Sequence, residues 1–321
     1  MIQFVLRKRL KEMCSRRARA LDWSDPEGVH DMRVASRRLR SALNDFKPFL
    51  RRRSLPLERI KQVGKSLGAV RDEDVALAAL EQLESKASES VAAGIEAIAE
   101  ERRRARLQSR AALEQTIGAK AIAALQKDFL AQLQSAAKIP DKASITARVA
   151  NRVLTFRQVG ANVIKDRVKQ LSAAGKCVYH PLQTKELHEM RILAKRLRYA
   201  VELFASCWGD ELKSIAKEIA GLQTSLGGLH DCDVWIANLG ARLEKGNRAP
   251  SNSATDGRRD REAAVWLLRH FARERNDHYC DALLRWDKWK ESEFFTHLKT
   301  ILESDVSASK RKPILAVGNL Q

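Results

Sequence analysis

Two stretches of this chain carry residues spaced to hold an extended anion. In Val29–Phe46, VHDMRVASRRLRSALNDF, His30 is followed by Arg33, Arg37 and Arg40, and in Leu187–Phe204, LHEMRILAKRLRYAVELF, His188 is followed by Arg191, Lys195 and Arg198. At about 100° per residue, His30, Arg33, Arg37, Arg40 and Asn44 share one side of a helix, with Met32, Ala35, Leu39, Ala42, Leu43 and Phe46 nearly opposite. The second stretch repeats the design, with Met190, Leu193, Leu197, Ala200, Val201 and Phe204 behind its basic row. Arginine offers a fork of donors to phosphate oxygens, lysine a point charge, and histidine a hydrogen bond plus a charge once protonated. Each row is roughly 15 Å long at about 1.5 Å per residue, a length that suits a chain of phosphates better than a single one. The competing reading is an ordinary solvated helix face. Against it, a histidine opens both rows, and the rows carry almost no acidic residue at the i+4 positions where a solvated face finds its partners.

Other chemistries have weaker carriers. His30-Asp31 and His230-Asp231 suggest a metal-dependent phosphohydrolase of the HD type, but the residues beside His30 are arginines, which would repel a divalent metal, and the counterpart of His230 is Arg71, which cannot ligate. No glycine-rich phosphate loop, Ser-His-Asp arrangement or C-x-x-C pair appears, so no catalytic residue, metal ligand or cofactor is expected. The stretch LGAVRDEDV, Leu67–Val75, recurs as LGGLHDCDV, Leu226–Val234. The first pair of motifs is offset by 158 residues (His188 against His30) and the second by 159 (Leu226 against Leu67), so both belong to one long internal repeat. Asp72, Asp74, Asp231 and Asp233 are read as structural partners of arginines or backbone in preference to a cation site, and Gly68 and Gly227 as points of close helix contact.

The 321 residues are 44% hydrophobic, enough for a real core, and 59 Lys and Arg against 40 Asp and Glu leave a formal charge of +19. A polyanionic partner follows: nucleic acid, an anionic membrane surface or another polyphosphate. Aromatic content is 6%, and no aromatic residue alternates with the basic ones in the His-led rows, which argues against base stacking on single strands. Five scattered cysteines predict neither a disulfide framework nor a zinc site. With neither a signal-peptide pattern nor a membrane-length apolar run, the expected location is the cytoplasm.

Helical periodicity runs throughout, without strand-like alternation. Helices are expected over about 3–20, from Asp25 as N-cap through Pro26 to about Arg53 with a kink at Pro48, from Ser54 through Val75, and over 85–136, where Arg102 to Arg110 reads as solvated surface. Ile139-Pro140-Asp141 marks a boundary. A long helix to about Ala174, a Thr184-capped helix, a helix over 212–243, a loop over 246–257 and helices over 258–284 and 292–303 complete the second half. The expected architecture is all-α, two four-helix bundles from the repeat. Residues 1–139 form the first bundle, 140–304 the second and 305–321 a tail.

The motifs HDMRVASRRLR, LGAVRDEDV, HEMRILAKRLRYAVELF and LGGLHDCDV, in this order, resemble the CHAD domain, a helical domain named for its histidines, over roughly residues 5–304. The resemblance implies that the two four-helix bundles are pseudo-symmetric, with a basic cleft or pore between them that binds inorganic polyphosphate, without catalysis. It also implies a location at cytoplasmic polyphosphate granules. Residue by residue, it assigns polyphosphate contacts to His30, Arg33, Arg37 and Arg40, to His188, Arg191, Lys195 and Arg198, and additionally to Lys61 and Lys65. The Glu-x-Glu-x-Lys signature of the triphosphatase attached in some members is absent, so hydrolysis does not carry over. The alternatives that remain are the HD-type phosphohydrolase and a general nucleic-acid-binding basic protein.

Overall fold

A computed structural model describes residues 1–25, 27–50, 55–137, 154–248 and 254–304. Every regular element among them is helical: α1 (Ile2–Ser15), α2 (Arg17–Ala20), α3 (Gly28–Asp45), α4 (Leu57–Glu84), α5 (Glu89–Ile117), α6 (Ala119–Ala137), α7 (Phe156–Ala174), α8 (Thr184–Phe204), α9 (Asp210–Arg248), α10 (Ala254–Glu291) and α11 (Phe294–Glu303), with short 3-10 turns between some of them. None of the described helices is long and apolar enough to cross a membrane.

The apolar stripes go where their periodicity sends them. Met32, Ala35, Leu39, Ala42, Leu43 and Phe46 of α3, and Met190, Leu197, Ala200, Val201 and Phe204 of α8, are buried, with Leu193 packed against the same core. That core also takes Leu6, Leu10 and Met13 of α1, Ile60, Val63, Leu67 and Val70 of α4, and Leu222, Leu226 and Leu229 of α9, so it draws on both halves of the chain. Phe46 and Phe204, equivalent in the repeat, meet edge to face at 5.9 Å, with Phe156 of α7 tilted against Phe204 at 4.9 Å. Nearby, the nearly buried Asp45 takes Arg167 of α7 at 2.9 Å. Burial pushes this carboxyl up and Arg167 opposes it, an ion pair that breaks at high cost if one partner is lost.

A second, smaller core lies where two antiparallel hairpins, α4–α5 and α9–α10, pack through α5 against α10. Leu80, Leu83, Ile95, Ile98 and Ala99 meet Cys232, Leu239, Ala263, Ala264, Leu267 and Phe271 there. Gly94 sets the approach, since a Cβ on it would lie 2.5 Å from the Arg259 carbonyl oxygen and 2.6 Å from the Ala263 Cβ.

Several element boundaries differ from the sequence reading. The basic N-terminal helix is two pieces, broken at Arg16, and the 85–136 helix breaks at Gly118. Helix α3 starts at Gly28, not at Pro26, which lies outside the described residues; the Asp25 carboxylate accepts from the Glu27 amide instead of capping the helix. Its far end is Asp45, and Pro48 sits in a 3-10 turn over Lys47–Phe49, because a proline inside the helix would lose a hydrogen bond and clash with the preceding turn. Thr184 is the first residue of α8 and Gln183 its cap. Helices α9 and α10 run to Arg248 and from Ala254, into the stretch expected as a loop, even though Gly246, Asn247, Asp256 and Gly257 are weak helix formers, because these turns extend two long helices already paired as a hairpin. The boundary at 139–141 and the tail from 305 lie outside the described residues.

A candidate polyanion-binding site

Helices α3 and α8 pack against each other, and the two basic rows come together at their contact. Lys195 shows the convergence best. Loss of water around its amine comes first, and then Arg191 of its own helix with Arg37, Arg40 and Arg33 of α3, in lowering its pKa to about 8. Arg37 is pushed down by burial and by Arg33, Arg198 and Arg191, with Tyr199 opposing. Arg40 is pushed down by burial and by Arg33, again with Tyr199 opposing. Like charges this close persist only because hydrophobic packing beneath them fixes both helices.

Counter-charges are sparse within the cluster. Arg33 meets Asp72 of α4 at 3.3 Å, and Arg198 meets Glu202 at 3.4 Å, an i+4 partner within the row. Glu202 also reaches Arg38 at 3.8 Å, outside the two rows. The buried Nε atoms of Arg37, Arg40 and Arg198 have no hydrogen-bond partner. In the protein interior such donors cost stability unless an acceptor arrives.

The histidine ends of the rows differ. On α8, His188 Nδ1 and His230 Nδ1 of α9 lie 3.0 Å apart, one donating and the other accepting, with ring centroids 4.0 Å apart. Burial, His188 and Arg191 together bring His230 down to about 4, while burial, Arg191 and Lys195 lower His188. On α3, His30 has Arg71 where His188 has His230; burial, then Arg71 and Arg37, depress it, against Glu27 and Asp31. The neighbouring Asp31 is taken by Arg16 at 2.6 Å and Arg19 at 3.0 Å.

The glycines of the second motif serve this cluster. A Cβ on Gly68 would meet Arg33 Nε at 3.7 Å and one on Gly227 would meet Arg191 Nε at the same distance. The expected close helix contact is therefore corrected: the space beside each glycine holds the arginine side chain of the adjacent row, not a second backbone. The acidic pairs divide in role. Asp74 lies between Arg106 at 3.7 Å and Arg110 at 4.0 Å, and Asp233 binds Arg275 at 2.6 Å, as structural partners of arginines on α5 and α10. Asp72 and Asp231 sit exposed beside Arg33 and Arg191; desolvation by the surrounding protein raises Asp231, Arg191 and Arg33 oppose, and Asp72 adds to the rise.

Lys61 and Lys65 stand apart. Both are exposed on α4, and Lys61 is held by Glu58 at 2.7 Å. At about 100° per residue they fall on the side of α4 that carries Gly64 and Gly68, along the flank of the cluster. The Arg102–Arg110 run, expected as solvated surface, is half inside the structure: Arg102 pairs with Glu73 at 3.3 Å and lies over Trp235, and Arg110 lies over Trp23. Its signal was the i, i+4 spacing of Arg102, Arg106 and Arg110, one stripe of α5 turned toward α4. Tyr199 was missed altogether, because it sits among apolar residues in RLRYAVELF.

These features can be set beside known proteins. The CHAD domain matches residues 5–240, a shorter span than 5–304. No curated protein matches. Among solved structures, the crystal structure of the CHAD domain from the plant Ricinus communis superposes with a TM-score of 0.63 at 21% identity, over 88% of this chain and 90% of that one. PptA from Streptomyces chartreusis superposes with a TM-score of 0.59 at 17% identity, over 89% of this chain and 99% of that one. At these identities the likeness is one of fold, and it extends beyond residue 240 into the last helices. With the match over well over half of the chain and all four motifs inside it, this protein belongs to the CHAD domain family.

Proposed function

We propose that the protein binds inorganic polyphosphate, without converting it, in a basic channel between α3 and α8. The observation that carries this reading is the crowding of Lys195 by Arg191, Arg33, Arg37 and Arg40, an arrangement that is unfavourable until an anion enters it. Family membership supports the same ligand, since polyphosphate binding is what the resemblance to CHAD domains implies. A thin flexible chain with a charge on every unit fits between two helices in contact, whereas duplex DNA, with its fixed and much greater width, meets only their rim. Location in the cytoplasm, at polyphosphate granules, follows from the ligand and forms part of the proposal.

The test is titration with long-chain polyphosphate, duplex DNA and RNA at equal phosphate concentration over a range of salt. Polyphosphate should bind tightest, with affinity falling steeply as salt rises, because each neutralised phosphate releases counterions. No binding, a flat salt dependence or equal competition by DNA would refute the proposal. Incubation with polyphosphate or nucleoside triphosphates and Mg²⁺, Mn²⁺ or Zn²⁺ should release no phosphate; turnover lost in His230→Ala would favour a hydrolase. If both rows grip one chain, Arg33→Ala/Arg37→Ala and Arg191→Ala/Lys195→Ala should give non-additive losses when combined. Additive losses would mean that the two halves bind separately.

A further inference from the structure

Tyr199 lies in the middle of the basic cluster and has no role in the fold that its hydrogen bonds reveal. It is 5% exposed, and its hydroxyl has no hydrogen-bond partner. Counting about 100° per residue along α8, it falls within about 20° of His188 and on the same side as Lys195. It therefore belongs to the basic row, at the position where the first row has Ser41. The Arg198 guanidinium stacks over its ring at 4.9 Å, and Arg37 and Arg40 both feel it across the α3–α8 contact. The Nε atoms of these three arginines are buried and unpartnered as well.

A buried phenol without an acceptor costs the fold stability. A phenylalanine would fill the same space without that cost. The Nε atoms of Arg37, Arg40 and Arg198 and the Tyr199 hydroxyl are four donors without a partner of their own, Arg198 meeting Glu202 through a different nitrogen, and such donors suit an oxyanion. A small cavity of about 10 Å³, lined by Tyr199 with Arg9, Arg38 and Glu202, has room for one water at most.

We infer that the Tyr199 hydroxyl is a ligand donor, anchoring one phosphoryl oxygen of the bound chain together with Arg37, Arg40 and Arg198 at the floor of the site. This rests on the polyphosphate reading above. It adds to it a contact that does not depend on charge: a phenol donates a hydrogen bond and releases no counterion. Recognition at this point is of a phosphoryl oxygen at a fixed position, not of negative charge in general.

Tyr199→Phe separates this role from a structural one, because it removes only the hydroxyl. Without ligand, the variant should melt at the same temperature as the wild type or above it. Affinity for long-chain polyphosphate should fall about tenfold, the equivalent of about 1.4 kcal/mol for a hydrogen bond to a charged acceptor. The slope of log affinity against log salt should stay as in the wild type, whereas Arg37→Ala should reduce it by about 1. A lower melting temperature for the ligand-free variant would assign the hydroxyl to the fold, held by a water in the small cavity, and overturn the inference. So would unchanged affinity. If the wild type itself fails to bind polyphosphate, the proposed function falls first, a result distinct from a wild type that binds and a Tyr199→Phe variant that binds equally well.

Discussion

Replacing Lys195 by methionine should make the ligand-free protein more stable and the complex weaker. Methionine has nearly the length of the lysine stem and no charge, so packing against the core is kept while one cation leaves the crowd. The pKa of Lys195 falls from 10.5 to about 8 on folding. At about 1.36 kcal/mol per unit, this corresponds to roughly 3 kcal/mol against the folded state at neutral pH, or about 2–3 kcal/mol after allowing for the solvent that still reaches the amine. The sign follows from proton counting. Between pH 8 and 10.5 the unfolded chain holds a proton on this lysine that the folded chain has lost, so stability rises with pH through that window, and the penalty is fully present below it. Thermal melts of the ligand-free protein at pH 7 should therefore rise by about 3–5 °C in Lys195→Met, since a chain of 321 residues carries a large unfolding entropy. The gap should close as the pH approaches 10. Titration calorimetry in buffers of different ionisation enthalpy should show proton uptake when polyphosphate binds the wild type near pH 8.5, and less uptake in the variant. A variant that melts at or below the wild-type temperature would refute the crowding argument.

Three further outcomes follow. His30, His188 and His230 are all depressed on folding, His230 to about 4, so ligand-free stability should be lost as pH falls below about 6.5; polyphosphate affinity should instead tighten between pH 7.5 and 5.5, and His188→Ala/His230→Ala should flatten that rise in titrations. Asp72→Asn removes the acidic partner of Arg33 at the edge of the site. Affinity should improve by about 2–5-fold at low salt and by less at high salt, as measured by anisotropy with labelled polyphosphate. Gly94→Ala forces a methyl against the Arg259 carbonyl. Denaturant titration should record a loss of about 1–3 kcal/mol despite alanine's better helix propensity.

Periodicity alone located the basic rows and their apolar backs, because a helix that buries one stripe turns the opposite one away from that core; the backs of α3 and α8 are buried but for the half-buried Leu193, while the basic rows are half-buried against each other. The repeat read in the sequence paired Gly68 with Gly227 and Asp74 with Asp233, and the members of each pair have like neighbours: an arginine Nε at 3.7 Å beside each glycine site and arginines of the adjoining helix beside each aspartate. What each of these touches was not legible. A glycine inside a helix signals a close neighbour without naming it, and here the neighbour is a guanidinium. Tyr199 escaped because its meaning lies in an absence, a hydroxyl without a partner, which a sequence cannot display. The pairing of α5 with α10 was equally hidden, since stripes of alanine and isoleucine on two helices do not say that they will meet. Lys61 and Lys65 share a helix side with the site but not its interior, a distinction set by side-chain reach.

The contact between α5 and α10 also bears on the order in which the chain is made. Ile95, Ile98 and Ala99 leave the ribosome well ahead of Ala263, Ala264 and Leu267, the residues that cover them. At roughly 5–20 residues per second, the delay is on the order of 10–30 s. Through that interval one wall of the smaller core stands open on a hairpin that is otherwise able to form, offering an apolar stripe to other nascent chains. Slow synthesis of the second half would lengthen this exposure, and aggregation during expression should respond to the rate of translation downstream of α5 more than to the stability of the finished protein.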